Sequence, residues 1–313
     1  MRFRSIALLL PLLSALTACE TSLSPGPRVD LISSTRFNTA DRRLTRPADT
    51  VAAKMFAEAK GSPLRRLVIS AEYFPVPEPI IYPSNATAPP DTSRRLVYLD
   101  STLASNTEIN QAALTHVLSS RTTSGLEVWR FEATDAEGRT GVRSFNLRFS
   151  RTDSAQQVHS YSIPVQAPGT SGRRSFLALR EGLAFPKFSV RTLAENQALV
   201  DLVYVTDSTT GAPTLATVRD AKLKLPWSTR RGTVIRKTTF NASTYANVTN
   251  YLTSFNQGTP FDTPTRTGPL AKGQVIAFEI PLNATESVYG LILVEEVVIT
   301  GIRTLVLQVR YQK

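Results

Sequence analysis

Few residues in this chain have types and spacing suited to chemistry, and the most telling is a lone cysteine. Cys19 is the only cysteine among 313 residues, and it directly follows Leu16-Thr17-Ala18. Upstream lie Arg2 and Arg4 and then the apolar run from Ile6 to Leu13. A basic start, an apolar stretch of about ten residues and a small residue before the cut describe an export signal; a permanent membrane helix needs roughly 20. A thiol at the first position after the cut is the atom that receives a diacylglyceryl group. The pattern predicts a signal peptide over 1–18 and lipidation of Cys19, with membrane lipid at the outer membrane as its partner. More than one acyl chain would hold firmly, because each buried methylene contributes about 0.8 kcal/mol.

Other chemistry is sparsely provided for. A Ser-His-Asp or Cys-His site needs a histidine as base, and the chain has only His116 and His159, neither in a recognisable motif. His116 alternates with apolar neighbours and His159 falls at a polar break, so both read as structural or surface residues. Zinc clusters, phosphate-binding glycine loops and nucleophile elbows have no sequence counterpart, and no catalytic residue, metal or cofactor is expected. Glu295-Glu296 is the most conspicuous carboxylate pair, yet neighbours on a strand point to opposite faces and cannot share one sugar. Asp135 and Glu137 alternate in a turn, where the turn itself explains them better than calcium does.

Glycan binding has a different signature, a ring exposed to stack on a pyranose. Tyr73, Phe74 and Tyr82 flank or lie within a proline-dense stretch, and Trp227 sits in Leu225-Pro226-Trp227-Ser228. These four are the candidate ligand-binding residues. The net charge is +11, or +9 once Arg2 and Arg4 are cut away, and it is spread over arginine pairs from Arg42-Arg43 to Arg230-Arg231. An exported protein rarely meets nucleic acid, so no nucleic-acid partner is expected; a solvated basic surface, or attraction to anionic polysaccharide, accounts for the balance. Thr50, Ser101, Ser154 and Ser208 follow Asp in short motifs like those of O-glycosylated surface lipoproteins.

The elements that must position these residues read as mainly β. Residues 19–45 are rich in Ser, Thr, Pro and Arg without periodicity, and they read as a flexible tether. Alternation then begins: Leu67, Ile69, Ala71 and Tyr73 share one face, as do Trp129, Phe131 and Ala133, and Phe145, Leu147 and Phe149. Residues 106–118 alternate well enough to favour a strand. The stretch from Pro75 to Asp91 carries six prolines and reads as an edge or a long loop. A second module over 158–313 shows a buried strand at Val200 to Val205, a helical turn near Leu193, a helix from Asn241 capped by Ser243, and three closing strands from Gln274 to Tyr311.

The hairpin Trp129-Arg-Phe-Glu-Ala-Thr-Asp-Ala-Glu-Gly-Arg-Thr-Gly resembles the closing hairpin of bacterial immunoglobulin-like and PKD-like modules. That resemblance implies an immunoglobulin-like β-sandwich over 46–152. The landmarks Leu193-Ala-Glu, Val200-Asp-Leu-Val-Tyr, Leu270-Ala-Lys-Gly-Gln-Val-Ile-Ala-Phe and Tyr289-Gly-Leu-Ile resemble an uncharacterised β-rich module of bacterial surface lipoproteins. It implies a surface location and transfers no catalytic residue. The expected architecture is a sandwich followed by a β-rich module with one or two short helices. The expected role is non-enzymatic binding or display of a polysaccharide or another envelope protein, on the periplasmic or cell-surface face. A structural spacer or assembly subunit, and an unrecognised glycan hydrolase, are the alternatives.

Overall fold

The computed structural model describes residues 25–44, 50–74, 94–103, 109–119, 125–149, 158–170, 172–207 and 209–312. Among them the protein is mainly β, with strands in four sheets and a few short helices. Cys19 and Tyr82 lie outside the described residues, as do Ser154 and Ser208.

The N-terminal part is a two-sheet sandwich. Strands β1 (Arg28–Leu31), β3 (Thr50–Glu58) and β6 (Gln111–Ser119) form one sheet in the order β1-β3-β6. The facing sheet runs β2-β8-β7-β4-β5, built from β2 (Arg42–Leu44), β4 (Leu64–Phe74), β5 (Arg94–Thr102), β7 (Gly125–Asp135) and β8 (Thr140–Phe149). This split of consecutive strands between two sheets, with β7 paired to both β4 and β8, makes a β-sandwich. Strict alternation drives it: in β7 every odd residue from Gly125 to Asp135 is buried while the residues between are not. Trp129, Phe131, Phe145 and Leu147 meet Val51, Ala53 and Met55 from the opposite sheet in one core. The turn from β7 to β8 closes on Gly138 at φ 80°, a conformation that glycine adopts without steric cost.

Two strands fall inside the stretch read as a tether, which corrects that reading. β1 pairs antiparallel with β3, and β2 pairs in parallel with β8. Each contributes a single buried anchor, Val29 and Leu44, so neither shows the periodicity that would have marked it. Even Pro27 is in place, since a Cβ on Gly141 would lie 1.9 Å from its carbonyl oxygen.

The C-terminal part is a second sandwich. Its outer sheet runs β14-β15-β16-β17-β9, from β14 (Val234–Lys237), β15 (Val275–Pro281), β16 (Ser287–Val298), β17 (Thr304–Gln312) and β9 (Val158–Gln166). Its inner sheet runs β11-β10-β12-β13, from β10 (Arg174–Ala178), β11 (Leu183–Pro186), β12 (Leu202–Thr206) and β13 (Pro213–Thr217). Between the sheets pack Ile163, Leu177, Leu202, Tyr204, Phe278, Ile292 and Leu307. The inner sheet is covered on both faces, and every residue of β11 and β13 is buried. Its second face turns Ala178, Phe185 and Val203 toward the N-terminal sandwich, and these residues, with Trp227 of the loop before β14, belong to the same apolar cluster as Trp129 and Phe145. The two sandwiches thus share a core.

Among the described residues the short α-helices are α1 (Lys187–Arg191), α2 (Ala194–Leu199), α3 (Ala242–Tyr245) and α4 (Tyr251–Gln257), with a 3-10 turn at Ala221–Leu223. The helix expected from Asn241 is in fact two, and its cap is Asn241 rather than Ser243. Asn241 Oδ1 accepts from the amides of Ser243 and Thr244, and Asn250 caps the second helix by accepting from the Thr253 amide. Tyr245, Tyr251 and Phe255 pack on β15 and β16, whereas Leu252 is 47% exposed.

Candidate functional site

The geometry of the described residues redraws the list of candidates. Trp227 is 7% exposed, its ring 5.6 Å from that of Phe176. It is part of the core, not a stacking platform, because Arg230 folds back onto the carbonyls of Leu225 and Trp227 and closes the loop over it. Tyr73 is likewise buried at the end of β4, its ring lying where a Cβ on Gly125 would have to be. Phe74, beside it, is half-buried. Trp227 and Tyr73 therefore offer no open ring for a sugar to stack on.

The carboxylates are redistributed too. Glu295 and Glu296 are both exposed, because a bulge between Val294 and Glu296 breaks the alternation that would have sent them to opposite faces. Asp135 is held in its turn by the amides of Glu137 and Arg139 and by Arg139 Nε at 2.7 Å. Burial pushes its carboxyl up, and those donors more than offset this, leaving it below its usual range. All the described donors to Asp135 come from the turn itself, and no group of three or more metal-ligating side chains occurs among the described residues.

A charged cluster that sequence reading missed lies in the C-terminal sandwich. Arg231 donates to Glu181 at 2.8 and 3.0 Å and to Asp201 at 3.2 Å. Asp201 has no exposed side-chain surface and also accepts from Thr233 at 2.7 Å and from the Leu179 amide at 2.7 Å. Burial pushes its carboxyl up to about 6 against the pull of Arg231, and the neighbouring Glu181 adds to the rise. The cluster ties the β10–β11 turn to the start of β12 and to the strand-like segment before β14. Asp201 appears in the sequence only as an acid beside a hydrophobic run, and nothing there shows that Arg231 and Glu181 converge on it.

The remaining constellation sits where the two sandwiches meet. Helices α1 and α2 leave the inner sheet and lie against β5, with the buried Asn196 donating to the carbonyls of Val97 and Ser189, each at 2.8 Å. Phe188 of α1 packs edge-on against Tyr98 of β5 at 5.6 Å and against His116 of β6 at 5.5 Å. His116 is 5% exposed, and neither ring nitrogen has a hydrogen-bond partner; burial lowers its pKa to about 4. His159, the other histidine, stacks on Tyr311 with ring centroids 4.9 Å apart. Both histidines are buried.

Just outside this contact the junction opens into a cleft of about 500 Å³. Its wall is apolar at Leu99 and Phe188, and its rim is polar at Ser101, Thr102 and Thr192. Two guanidinium groups reach it. Arg66 is committed to Asp100 through paired bonds of 2.7 and 2.5 Å; Arg191 is exposed and makes no ion pair among the described residues. Clefts between domains are preferred ligand sites, and this one combines apolar side chains, hydroxyls and an exposed guanidinium. Neither Arg66 nor Arg191 stood out in the sequence, because they lie 125 positions apart and only the docking of the two sandwiches brings them together.

No protein-family model matches the chain, and no curated protein matches it. Among solved structures it is similar to a DUF4466 family protein from Parabacteroides merdae, with a TM-score of 0.34 and 10% identity over 92% of this chain and 99% of that one. It is also similar to the sporulation control protein Spo0M from Bacillus subtilis, with a TM-score of 0.25 and 10% identity over 63% of this chain and 81% of that one. A third likeness is to a family 123 glycoside hydrolase from Clostridium perfringens, with a TM-score of 0.24 and 12% identity over 40% of this chain and 27% of that one. Likeness at this level assigns no activity.

Proposed function

We propose that this is an exported, lipid-anchored binding protein whose junction cleft takes an anionic envelope glycan, without catalysing a reaction on it. The observation that carries the reading is Arg191: an exposed guanidinium with no ion-pair partner among the described residues, at the mouth of a cleft walled by Phe188 and Leu99. A carboxylate or sulfate on a sugar would meet that cation, the hydroxyls of Ser101 and Thr102 suit its ring oxygens, and Phe188 offers a face to its C–H groups. Anchoring rests on Cys19 after Leu16-Thr17-Ala18. The buried positions of Trp227 and Tyr73 move the glycan site away from the aromatics that the sequence suggested.

Native-gel retardation by acidic polysaccharides at two salt concentrations tests the reading. Retardation by an acidic but not a neutral glycan, abolished in Arg191→Glu and kept in Trp227→Phe, is the expected result. Equal retardation of the wild-type chain and Arg191→Glu would refute the cleft as the site.

A further inference from the structure

An unpaired strand edge is a template for another chain, and folded proteins blunt such edges with brevity, charge, proline or a covering segment. Here almost every edge is blunted. β1 and β2 have four and three residues, and β14 has four with Arg236 and Lys237 among them. β11 ends in Pro186, and β9 carries Pro164. β13 is covered by backbone bonds to Thr265, Thr267 and Leu270. β5 carries Arg95 and Asp100, and Asn196 takes its Val97 carbonyl.

β6 is the exception. Its nine residues, Gln-Ala-Ala-Leu-Thr-His-Val-Leu-Ser, contain no charge and no proline. One side pairs with β3 along the whole length; no described backbone group bonds to the other. Its outward residues Gln111, Ala113, Thr115 and Val117 are all exposed, Val117 to 44%. β6 itself brings no charge to the edge, while Lys54 of β3 stands opposite Thr115 in register.

We infer that β6 is a homodimer interface, pairing antiparallel with β6 of a second copy about a two-fold axis at Thr115. Directly opposed residues of an antiparallel pair point to the same face, so the axis must pass through a residue position rather than between two. Centring on Thr115, the midpoint of the strand, maximises overlap and sets Thr115 against Thr115 and each Val117 against Ala113 of the partner. That covers the exposed valine with a small residue and adds a threonine pair across the axis, both favourable on a sheet. The two three-stranded sheets would then run on as one of six. The inference does not rest on the glycan cleft or on lipidation.

The test uses the full processed chain, from whichever cell fraction holds it. Sedimentation equilibrium is expected to show a reversible shift toward twice the monomer mass with rising concentration. Thr115→Lys, which opposes two ammonium groups across the axis at an exposed position, should lose that shift. Thr115→Cys should form a symmetric disulfide under mild oxidation, since opposed Cα atoms of about 4.5–5.5 Å suit the bond, and Val142→Cys on the exposed face of β8 should not. The wild-type chain, carrying Cys19 alone, shows separately whether that thiol is free. Monomer mass at every concentration, cross-linking of Thr115→Cys no faster than of Val142→Cys, or undiminished association of Thr115→Lys would overturn the inference.

Discussion

Replacing His116 by leucine should change how the stability of this protein responds to acid. Folded His116 stays neutral down to about pH 4 because burial against Phe188 and the sandwich core disfavours its charged form. In the unfolded chain it takes a proton near its ordinary value of 6.5. Between those values the unfolded state binds the extra proton, so stability falls as pH drops from 6.5 to about 4 and stays level below. At about 1.4 kcal/mol per pH unit, that window is worth about 3 kcal/mol. Leucine fills a similar volume and removes both the proton and two unbonded ring nitrogens, so the variant should match or exceed the wild type at neutral pH. Its advantage should then widen by about 3 kcal/mol on acidification. Urea denaturation of both chains at about pH 7.5, 6, 5 and 4 gives the comparison directly, with every other titrating group cancelling in the difference. A wild-type minus variant difference that stays level across the series would refute the claim that neutral burial at the junction costs the protein stability in acid.

Asp201 should respond with the opposite sign. Its raised carboxyl means that the folded state binds a proton first, so its contribution grows as pH falls from about 6 toward 3.8. Asp201→Asn should therefore lose ground to the wild type on acidification, by about 3 kcal/mol in the same denaturation series, and the wild-type profile between pH 4 and 6 should be flatter than that of either variant. Trp227→Ala should destabilise by about 3–5 kcal/mol, visible as a lowered denaturation midpoint, while leaving glycan retardation of the still-folded fraction unchanged. Gly141→Ala drives a methyl group onto the Pro27 carbonyl and should detach β1, read as new proteolytic cleavage near Arg28. Cys19→Ala should leave the protein soluble or its signal uncut, with no incorporation of labelled acyl chains.

Much of the fold was legible because many strands bury one face and wet the other. The alternation of Trp129, Phe131 and Ala133, and the Asp-Ala-Glu-Gly turn after it, locate β7 and β8 without further help. Legibility fails where that logic fails. β1 and β2 bury one side chain each, so the fold holds them by backbone pairing to distant strands. The strands of the inner sheet bury both faces, and apolar runs such as Leu202 to Val205 show a buried strand without showing what covers each side. Trp227 misleads because a Pro-Trp dipeptide resembles a surface loop, while the arginine that closes it over the core stands three positions away. The cleft was illegible altogether: Phe188 and Arg191 on one side and Arg66 and Asp100 on the other belong to different sandwiches, and their meeting depends on a shared core that no local pattern encodes.

The pairing of β1 into the N-terminal sandwich sets the length of the leash. Nine positions separate Cys19 from Arg28, and a fully extended chain spans at most about 3.6 Å per residue. If Cys19 carries an acyl anchor, β1 stands no more than about 30 Å from the bilayer surface, whereas a leash running free to residue 45 would have allowed about 90 Å. The body would then ride close above the headgroups and sweep a thin layer, meeting only what lies at the foot of the envelope. Capture from farther out would require the partner to come down to the membrane.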